Sequence, residues 1–345
     1  LCNDDSDPVL INCTFSNNTA GQRGGGTYNW STSTNLKFIN CTYTGNSAAE
    51  LGGGMCIWNG TANLVDCLFS GNTATQDGGA MYNRASDPTL TNCTFASNVA
   101  AGNGGGIFNN ELAGPTIANC IFWANTDSSG SPEPAQIQGG FPQVTYSCIQ
   151  DDDPNDGYIP FNDANIDDYP MFVRDPNAGG DGWGDDPCTP GLDEGANDDF
   201  GNLYPLPGSP CIDAGDNIAV PPDTYDIDDD GNTTELTPLD LDYNPRFIDD
   251  PTTANTGNPD PSHDPNVIVD MGAYEFAPLA PQPPQGIPGD IDLDGDVDLV
   301  DFAILSSQWQ GVPGQPSADI APPGGDGEVN IDDLLIVVAN WLAGT

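Results

Sequence analysis

The chain has 345 residues, enough for two or three domains, and carries 52 acidic but only 5 basic residues, for a net charge of −47 at pH 7. A charge of this size makes nucleic acid, anionic membranes and polyanionic glycans poor partners, and it repels itself unless cations bind. No apolar run is long enough to span a bilayer, so the sequence predicts no membrane insertion. With ten cysteines and hardly any lysine, the composition predicts an extracellular or cell-surface protein.

The first 150 residues contain a repeat with a period of 26 to 28 residues. Each copy has a cysteine, an aromatic residue two positions later and an asparagine three positions after that, as in Cys13, Phe15 and Asn18. Because alternate residues of a strand point the same way, the cysteines and aromatic residues are predicted to fill an interior. The cysteines of five copies and a weaker sixth are Cys13, Cys41, Cys67, Cys93, Cys120 and Cys148.

A glycine cluster and a short apolar segment follow in four copies, so each copy holds three short apolar runs that end in Asn or Gly. These two residues adopt left-handed backbone conformations most easily. Three strands separated by three bends make one coil of a right-handed parallel β-helix, a single-stranded solenoid, which we predict for residues 1–149. Leu1-Cys2-Asn3 aligns with Met81-Tyr82-Asn83, so we expect the sequence to open within a coil.

The aromatic residues of the apolar segments are predicted to point outward as one column. The column has two interpretations: a contact stripe for sugars or for another subunit, or aromatic side chains that lie flat on their own coils. The residues are Tyr28, Trp58, Tyr82 and Phe108.

Asn-x-Ser/Thr patterns in the repeats are candidate glycosylation sites. Those at Asn12, Asn40 and Asn92 coincide with predicted bends, so a structural role is expected there. The remaining candidates for glycosylation are Asn17, Asn29 and Asn59.

The combination of Phe-x-x-Asn, as in Phe15 to Asn18, with a following Gly-Gly-Gly segment resembles the repeat of polymorphic outer-membrane proteins. The resemblance covers roughly the first 125 residues. It implies a surface-displayed parallel β-helix and says nearly nothing about activity.

Residues 150–277 are rich in Asp, Gly and Pro and keep only short anchors. The anchors at 169–173, 207–216, 240–246 and 269–275 resemble, in this order, the closing coils of choice-of-anchor Q surface proteins. That resemblance implies attachment through a C-terminal anchor and supplies no catalytic residue. Cys188 and Cys211 lie off the repeat in this region and are the candidate disulfide pair.

A loop of the form D-x-D-x-D-G lies in the same region. Carboxylates on alternate residues with a glycine at the turn suit Ca²⁺, a hard cation that takes six to eight oxygen ligands. The twelfth position is Thr237, so this is either a calcium loop of another type or a solvated acidic turn. The candidate ligands are Asp226, Asp228, Asp230 and Asn232.

A Pro-rich linker is predicted at residues 278–288. Residues 289–345 contain two acidic loops, each followed by an apolar helical pattern, and are predicted to form a small α-helical, EF-type calcium module. The paired loop–helix halves resemble a type I dockerin, although position 12 of the first loop is Asp and the second loop is too long. The candidate ligands are Asp290, Asp292, Asp294, Asp296, Asp301, Asp319, Asp326, Glu328 and Asp333.

These patterns predict an extracellular, calcium-stabilised structural protein, a subunit of a head-to-tail filament or surface layer, with Ca²⁺ as its cofactor. The alternative is a dockerin-bearing, carbohydrate-binding or carbohydrate-active β-helix attached to a cohesin-type scaffold. Enzymatic activity is not predicted, because a lyase needs clustered cations and a hydrolase needs two adjacent carboxylates. The expected partner is a second copy of the chain, with glycans or a cohesin-like domain as the other possibilities.

Overall fold

The computed structural model describes residues 1–30, 35–151, 164–179, 183, 198–261, 264, 266–277 and 306. The chain divides into two compact units, Leu1–Pro278 and Leu279–Thr345. The first unit is an all-β parallel solenoid of the right-handed type with about six turns, as predicted. Apart from Ser306, the predicted linker and the predicted calcium module lie outside the described residues.

Three six-stranded parallel sheets run along the solenoid, and a fourth sheet has four strands. Sheet A contains β1 (Cys2–Asp4), β5 (Thr27–Trp30), β9 (Met55–Gly60), β13 (Met81–Ser86), β17 (Ile107–Asn110) and β20 (Ile137–Gln138). Sheet B contains β2 (Val9–Ile11), β6 (Leu36–Ile39), β10 (Ala62–Val65), β14 (Thr89–Thr91), β18 (Thr116–Ala118) and β21 (Gln143–Thr145). Sheet C contains β3 (Thr14–Ser16), β7 (Thr42–Thr44), β11 (Leu68–Ser70), β15 (Thr94–Ala96), β19 (Ile121–Trp123) and β22 (Cys148–Ile149).

The fourth sheet, sheet D, corrects the prediction of three strands per coil. It contains β4 (Thr19–Ala20), β8 (Ser47–Ala48), β12 (Thr73–Ala74) and β16 (Val99–Ala100). Each strand has two residues, too short to show any periodicity in the sequence.

Beyond the sixth coil, the described residues contain little regular structure. β23 (Phe172–Arg174) and β24 (Asn202–Pro205) pair antiparallel, and a 3₁₀ helix covers Asn217–Ala219. Helix α1 (Pro132–Gln136) lies within the solenoid, between β19 and β20. Within the described part of the chain, no helix combines the length and apolar character needed to cross a bilayer.

The bends between sheets B and C have the predicted left-handed backbone. The φ angles lie between +51° and +56° for Asn12, Asn40, Asn92 and Asn119. Asp66, at the same bend of the third coil, has a φ of +52°. The glycine clusters allow a second feature, the close approach of neighbouring coils. A Cβ atom on Gly53 would lie 2.3 Å from the carbonyl oxygen of Gly79, so only glycine fits there.

The interior contains the predicted column of aromatic rings. Ring centroids from coil to coil are 4.5 to 4.7 Å apart, and the rings are nearly parallel. Stacking at this spacing matches the separation of adjacent strands, so each ring packs on the next without distorting the sheet. The column is Phe15, Tyr43, Phe69, Phe95 and Phe122.

The asparagine three positions after each aromatic residue forms a hydrogen-bond ladder. The side-chain amide of Asn72 donates to Oδ1 of Asn98 at 2.9 Å and to the carbonyl oxygen of Tyr43 at 2.8 Å. Because these amides are buried, each bond also avoids the cost of an unpaired polar group. The ladder continues as Asn18, Asn46, Asn72, Asn98, Asn125 and Gln136.

The cysteine column has five members and not six. Cys41, Cys67, Cys93 and Cys120 are fully buried and Cys13 is partly buried, as predicted for small interior residues. In the sixth coil, Ser147 takes the next place, since its Oγ accepts from the backbone N–H of Cys120 at 3.1 Å. Cys148 pairs with Ile121, one residue further on, so its side chain points to the opposite face.

Truncation of one interior ring should destabilise the solenoid strongly. Phe69→Ala removes a fully buried ring that stacks on both Tyr43 and Phe95, and we expect a loss of about 3–5 kcal/mol in the free energy of unfolding. Urea titration followed by circular dichroism measures the loss. The matched control is Phe141→Ala, whose ring is 64% exposed and should cost less than about 0.5 kcal/mol. Equal losses for the two variants would contradict the stacked interior.

Candidate functional site

The acidic loop predicted to bind calcium is a closed structural unit, residues 223–235, which we call the acid loop. Its base is fastened by the backbone N–H of Asp223, which donates to the carbonyl oxygen of Glu235 at 2.7 Å. Inside it, Asp226 and Gly231 adopt positive φ, and the N–H of Gly231 donates to Oδ1 of Asp226 at 2.8 Å. These turns bring carboxylate oxygens of Asp226, Asp228 and Asp230 within 4.8 Å of one another.

A second grouping in the acid loop includes two residues that the sequence analysis missed. Asp223, Asp228 and Glu235 also have carboxylate oxygens within 4.8 Å of one another. Asp223 is buried, and its carboxylate accepts from the N–H groups of Tyr225 and Ile227. Neither residue belongs to the D-x-D-x-D-G pattern, so the local motif could not identify them. The arrangement offers five carboxylates, the ligand type that Ca²⁺ prefers.

The electrostatics of the loop favour a bound cation. The pKa of Glu235 is raised, first by burial and then by the neighbouring carboxylates of Asp230 and Asp228. Asn232, a predicted ligand, instead donates its side-chain amide to Glu235 at 3.1 Å. A divalent cation at this place would offset the repulsion among the carboxylates.

A contact between Lys37 and Tyr225 joins the acid loop to the solenoid. The ammonium group of Lys37, on β6, lies 5.0 Å from the ring centroid of Tyr225. Such a cation–π contact contributes about 0.5–1 kcal/mol when it is exposed.

The candidate ligands of the C-terminal module lie outside the described residues, and their calcium site stays a prediction. They are Asp290, Asp292, Asp294, Asp296, Asp301, Asp319, Asp326, Glu328 and Asp333.

The aromatic column on the outer face of sheet A differs from the predicted one in register. Cys56 pairs with Tyr28 and with Tyr82, and Trp58 lies two residues further along β9. Ile57-Trp58-Asn59 resembles the repeated apolar segment, but the end of the glycine cluster at Gly54 sets the register. Trp58 still points outward, because residues two apart in a strand share a face.

The rings of this column pack on one another and on neighbouring side chains, which favours the interpretation that they lie flat on their own coils: Tyr82 is buried, and Tyr28, Trp58 and Phe108 are partly buried. Guanidinium groups of Arg23 and Arg84, from the preceding and following coils, lie 4.2 and 4.0 Å from the Trp58 ring centroid. Tyr82 is buried and stacks on Phe108 with a centroid distance of 5.8 Å. Both guanidinium groups therefore compete with a sugar for contact with the Trp58 ring.

The structure disfavours glycosylation at Asn29. Asn29 is fully buried in β5, because it belongs to the inward-facing positions of sheet A. Asn17 is exposed and Asn59 is half-buried, and both stay predictions.

The predicted disulfide is not described as a pair, because Cys188 lies outside the described residues. Cys211 is a fully buried free thiol.

The segment that carries the acid loop is fastened to the solenoid by a buried charge cluster. We call residues 198–277 the closing segment, and Arg246, Asp66, Asp240, Asp270 and Glu275 the charge cluster; all five side chains are buried. Arg246 donates to Asp66, which lies on the third coil, and its Nη1 is 3.7 Å from the carboxylate of Glu275. It also donates to the carbonyl oxygens of Gly272 and Ala273, both at 3.0 Å.

Neighbouring contacts extend this attachment along the bend between sheets B and C. Asn119 exchanges two hydrogen bonds with Asp216, at 2.7 and 3.0 Å. The N–H of Ala273 donates to the Thr94 hydroxyl at 3.0 Å, and Asn40 donates to the carbonyl oxygen of Asp240. The anchors recognised in the sequence at 207–216, 240–246 and 269–275 supply most of these groups.

Burial dominates the protonation of the cluster. It raises the pKa of Asp66 to about 7 despite the attraction of Arg246, and that of Asp270 to about 8 despite N–H groups that bind its carboxylate. The pKa of Glu275 is also raised, by burial and then by Asp270. One guanidinium therefore faces several carboxylates, of which Asp66 and Asp270 are partly protonated near neutral pH.

The comparisons with known proteins agree with the repeat. The family model of the Chlamydia polymorphic membrane protein repeat matches residues 12–29 and 66–84. Each match begins at a bend residue before an interior cysteine and ends in sheet A. No curated protein and no solved structure matches the chain.

Loss of the buried cation should release the closing segment. Arg246→Met leaves Asp66 and Glu275 without their cation, and we expect the free energy of unfolding to fall by about 3–5 kcal/mol in urea titration. Arg174→Met is the matched control: its pair with Asp199 is exposed and should be worth less than about 1 kcal/mol. The double variant Arg246→Met/Asp66→Asn should regain part of the loss. Equal effects at positions 246 and 174 would contradict the cluster's role.

The cluster should make stability fall as pH rises. Unfolded carboxylates titrate near pH 4, whereas Asp66 and Asp270 titrate at about 7 and 8 when folded, so the folded state holds more protons between these values. Their contribution is complete below about pH 4 and is lost by about pH 8. Urea midpoints measured from pH 5 to 8 test this. Asp66→Asn, which introduces the residue found at the same bend in other coils, should flatten the slope; an unchanged slope would refute the assignment to Asp66.

Proposed function

We propose that this chain is a structural protein of the cell surface, in which the solenoid acts as a stiff spacer or scaffold. The observation that carries this proposal is the continuous solenoid, whose interior is filled by stacked columns and whose repeat matches that of a membrane protein family. Each coil contacts only its neighbours, so length can be added without redesign of the core. A high negative charge keeps such a surface protein soluble.

A polysaccharide lyase is disfavoured by the placement of the basic residues. The chain has five, and all five are described. Arg23, Arg84 and Arg174 each pair with a carboxylate, Arg246 is buried, and Lys37 lies over Tyr225. Only Arg23 and Arg84 come close together among these five, and both lie against the Trp58 ring and pair with a carboxylate. Cleavage of acidic sugars instead needs a base with cationic subsites. A screen for newly formed reducing or unsaturated ends tests the proposal, and activity lost on changing one carboxylate would overturn it.

Calcium is the proposed stabilising cofactor, bound by the acid loop and by the C-terminal acidic loops. The acid loop supports this through its two groupings of carboxylates, which share Asp228. Ca²⁺ would bind carboxylates that accept hydrogen bonds from N–H groups of the loop, and it would reduce the net negative charge of the loop.

Removal of the shared ligand should therefore cost one calcium ion. We expect Asp228→Asn to lower the stoichiometry in a chelator-competition titration of the full chain by one, and to reduce the calcium-induced rise in melting temperature. Asp290→Ala should remove a different ion. Asp4→Asn, an exposed carboxylate far from the loop in sequence, is the charge-matched control and should change neither value. Identical stoichiometry in the Asp228→Asn and Asp4→Asn variants would exclude the acid loop as a site.

Head-to-tail assembly with a second copy is the proposed mode of association. In the described structure, β1, β2, β3 and β4 each pair on one side with the second coil. On this proposal, the first coil of one copy contacts the closing segment or the C-terminal module of the next, and a contact between such unlike surfaces propagates into a filament unless it closes a ring.

Sedimentation velocity and electron microscopy, each with calcium and with chelator, test this assembly. A charge at the edge should weaken it, so Val9→Asp should reduce assembly, whereas Val173→Asp, at a similarly exposed valine of β23, should not. A monomer under every condition, or equal effects of the two variants, would reject the proposal.

A further inference from the structure

Cys148 does not belong to the interior cysteine column, because its side chain lies on the opposite face of sheet C. Side chains of sheet C alternate, so Cys120 and Phe122 point inward and Ile121 points outward. Cys148 pairs with Ile121, whereas Ser147 continues the interior column. The thiol of Cys148 therefore lies on the outer face of sheet C, where residues beyond the sixth coil, such as Phe172 and Leu203, pack against it.

The closing segment brings Cys211 to the same face. The N–H of Met271 donates to the carbonyl oxygen of Cys211 at 2.9 Å, and the next residue, Gly272, donates to Asn119 at 2.8 Å. Cys148 and Cys211 are both fully buried in one apolar cluster, which also contains Ile121 and Met271. The Cys148 thiol donates to the carbonyl oxygen of Asp168 at 3.2 Å. Burial raises the pKa of this thiol, and the neighbouring Cys211 thiol adds to the shift.

This geometry differs from that of the interior column. Column cysteines stand side by side on successive strands with parallel Cα–Cβ directions, which does not suit a disulfide. Cys148 and Cys211 come from two different layers, the sheet and the segment packed on it, and they share one buried cluster. The parallel Cα–Cβ directions that keep the column cysteines from pairing therefore do not apply to them.

We propose that Cys148 and Cys211 form a disulfide that fastens the closing segment to the sixth coil. With oxidised glutathione as the oxidant, the thiolate of one cysteine attacks the glutathione disulfide and releases one reduced glutathione. The second thiolate attacks the mixed disulfide and releases the other. Two S–H bonds and one S–S bond are broken, and one protein S–S bond and two glutathione S–H bonds are formed.

The order of events follows from burial. Both sulfur atoms are inaccessible once the closing segment has docked, so exchange takes place while this segment is undocked. After docking, the same burial shields the bond from reducing thiols. The bond adds a covalent tie to the noncovalent one at Arg246 and does not depend on the function proposed above.

Peptide mapping tests the bond directly. The full chain is refolded in a glutathione redox buffer, quenched in acid, alkylated under denaturing conditions and digested without reduction. We expect a linked species containing residues 148 and 211, lighter by two hydrogens than the sum of its peptides and separated by reduction. Alkylated thiols at both positions, or a bond between Cys188 and Cys211, would overturn the proposal.

Stability measurements supply a second readout. Cys148→Ser and Cys211→Ser should each lower the urea midpoint of the oxidised protein, and the double variant should lower it no further than the larger single effect. Reduction should shift the wild-type midpoint and leave those of the variants unchanged. Cys2→Ser, an exposed thiol, is the control and should keep the full redox shift. A redox shift that survives in Cys148→Ser would show that another pair is responsible.

Discussion

Arg246 lies without solvent contact between Asp66, on the third coil of the solenoid, and Glu275, near the end of the closing segment. Removal of these charges from water costs several kcal/mol for each ion, and the attraction between them offsets this only where hydrogen bonds complete the site. The carbonyl oxygens of Gly272 and Ala273 accept such bonds from Arg246, while Arg246 Nε and Asp66 Oδ2 have no hydrogen-bond partner among the described residues. The charge cluster joins the closing segment to the third coil, and the acid loop belongs to that segment.

The parts of the fold that could be predicted are those encoded by short motifs that recur in successive coils. The repeat identifies the aromatic column, because an aromatic residue recurs at each coil with the same spacing. The asparagines of the Phe-x-x-Asn pattern were part of the same repeat, but their hydrogen-bond ladder was not predicted. Prediction failed where one coil departs from the pattern. Trp58 matches the repeated aromatic position in sequence, but the register set by the glycines places it two residues further along the strand. Cys148 matches the cysteine position in sequence, but the repeat from the fifth to the sixth coil is one residue shorter in the structure, so Cys148 lies one residue beyond the column.

The site was less predictable because its parts are distant in the chain. Asp66 and Arg246 are 180 residues apart, and no local pattern joins them. One signal was present: four coils have Asn at this bend, and only the third has Asp. A carboxylate that replaces a recurrent amide in a column indicates a cation from elsewhere. Asp223 and Glu235 likewise join the acid loop through its closed base and not through the D-x-D-x-D-G pattern.

The separation between Asp66 and Arg246 also bears on how the chain folds as it emerges from a ribosome or a secretion channel. Coils built from neighbouring strands can form in order, since each needs only the coil before it. Asp66 is then in place long before its cation is available. Docking of the closing segment buries the carboxyl group and brings Arg246 to it in the same step, and this burial raises the pKa of Asp66 to about 7. The contact between Arg246 and Asp66 then forms last, after the coils have folded in order, and it joins residues that are far apart in the chain.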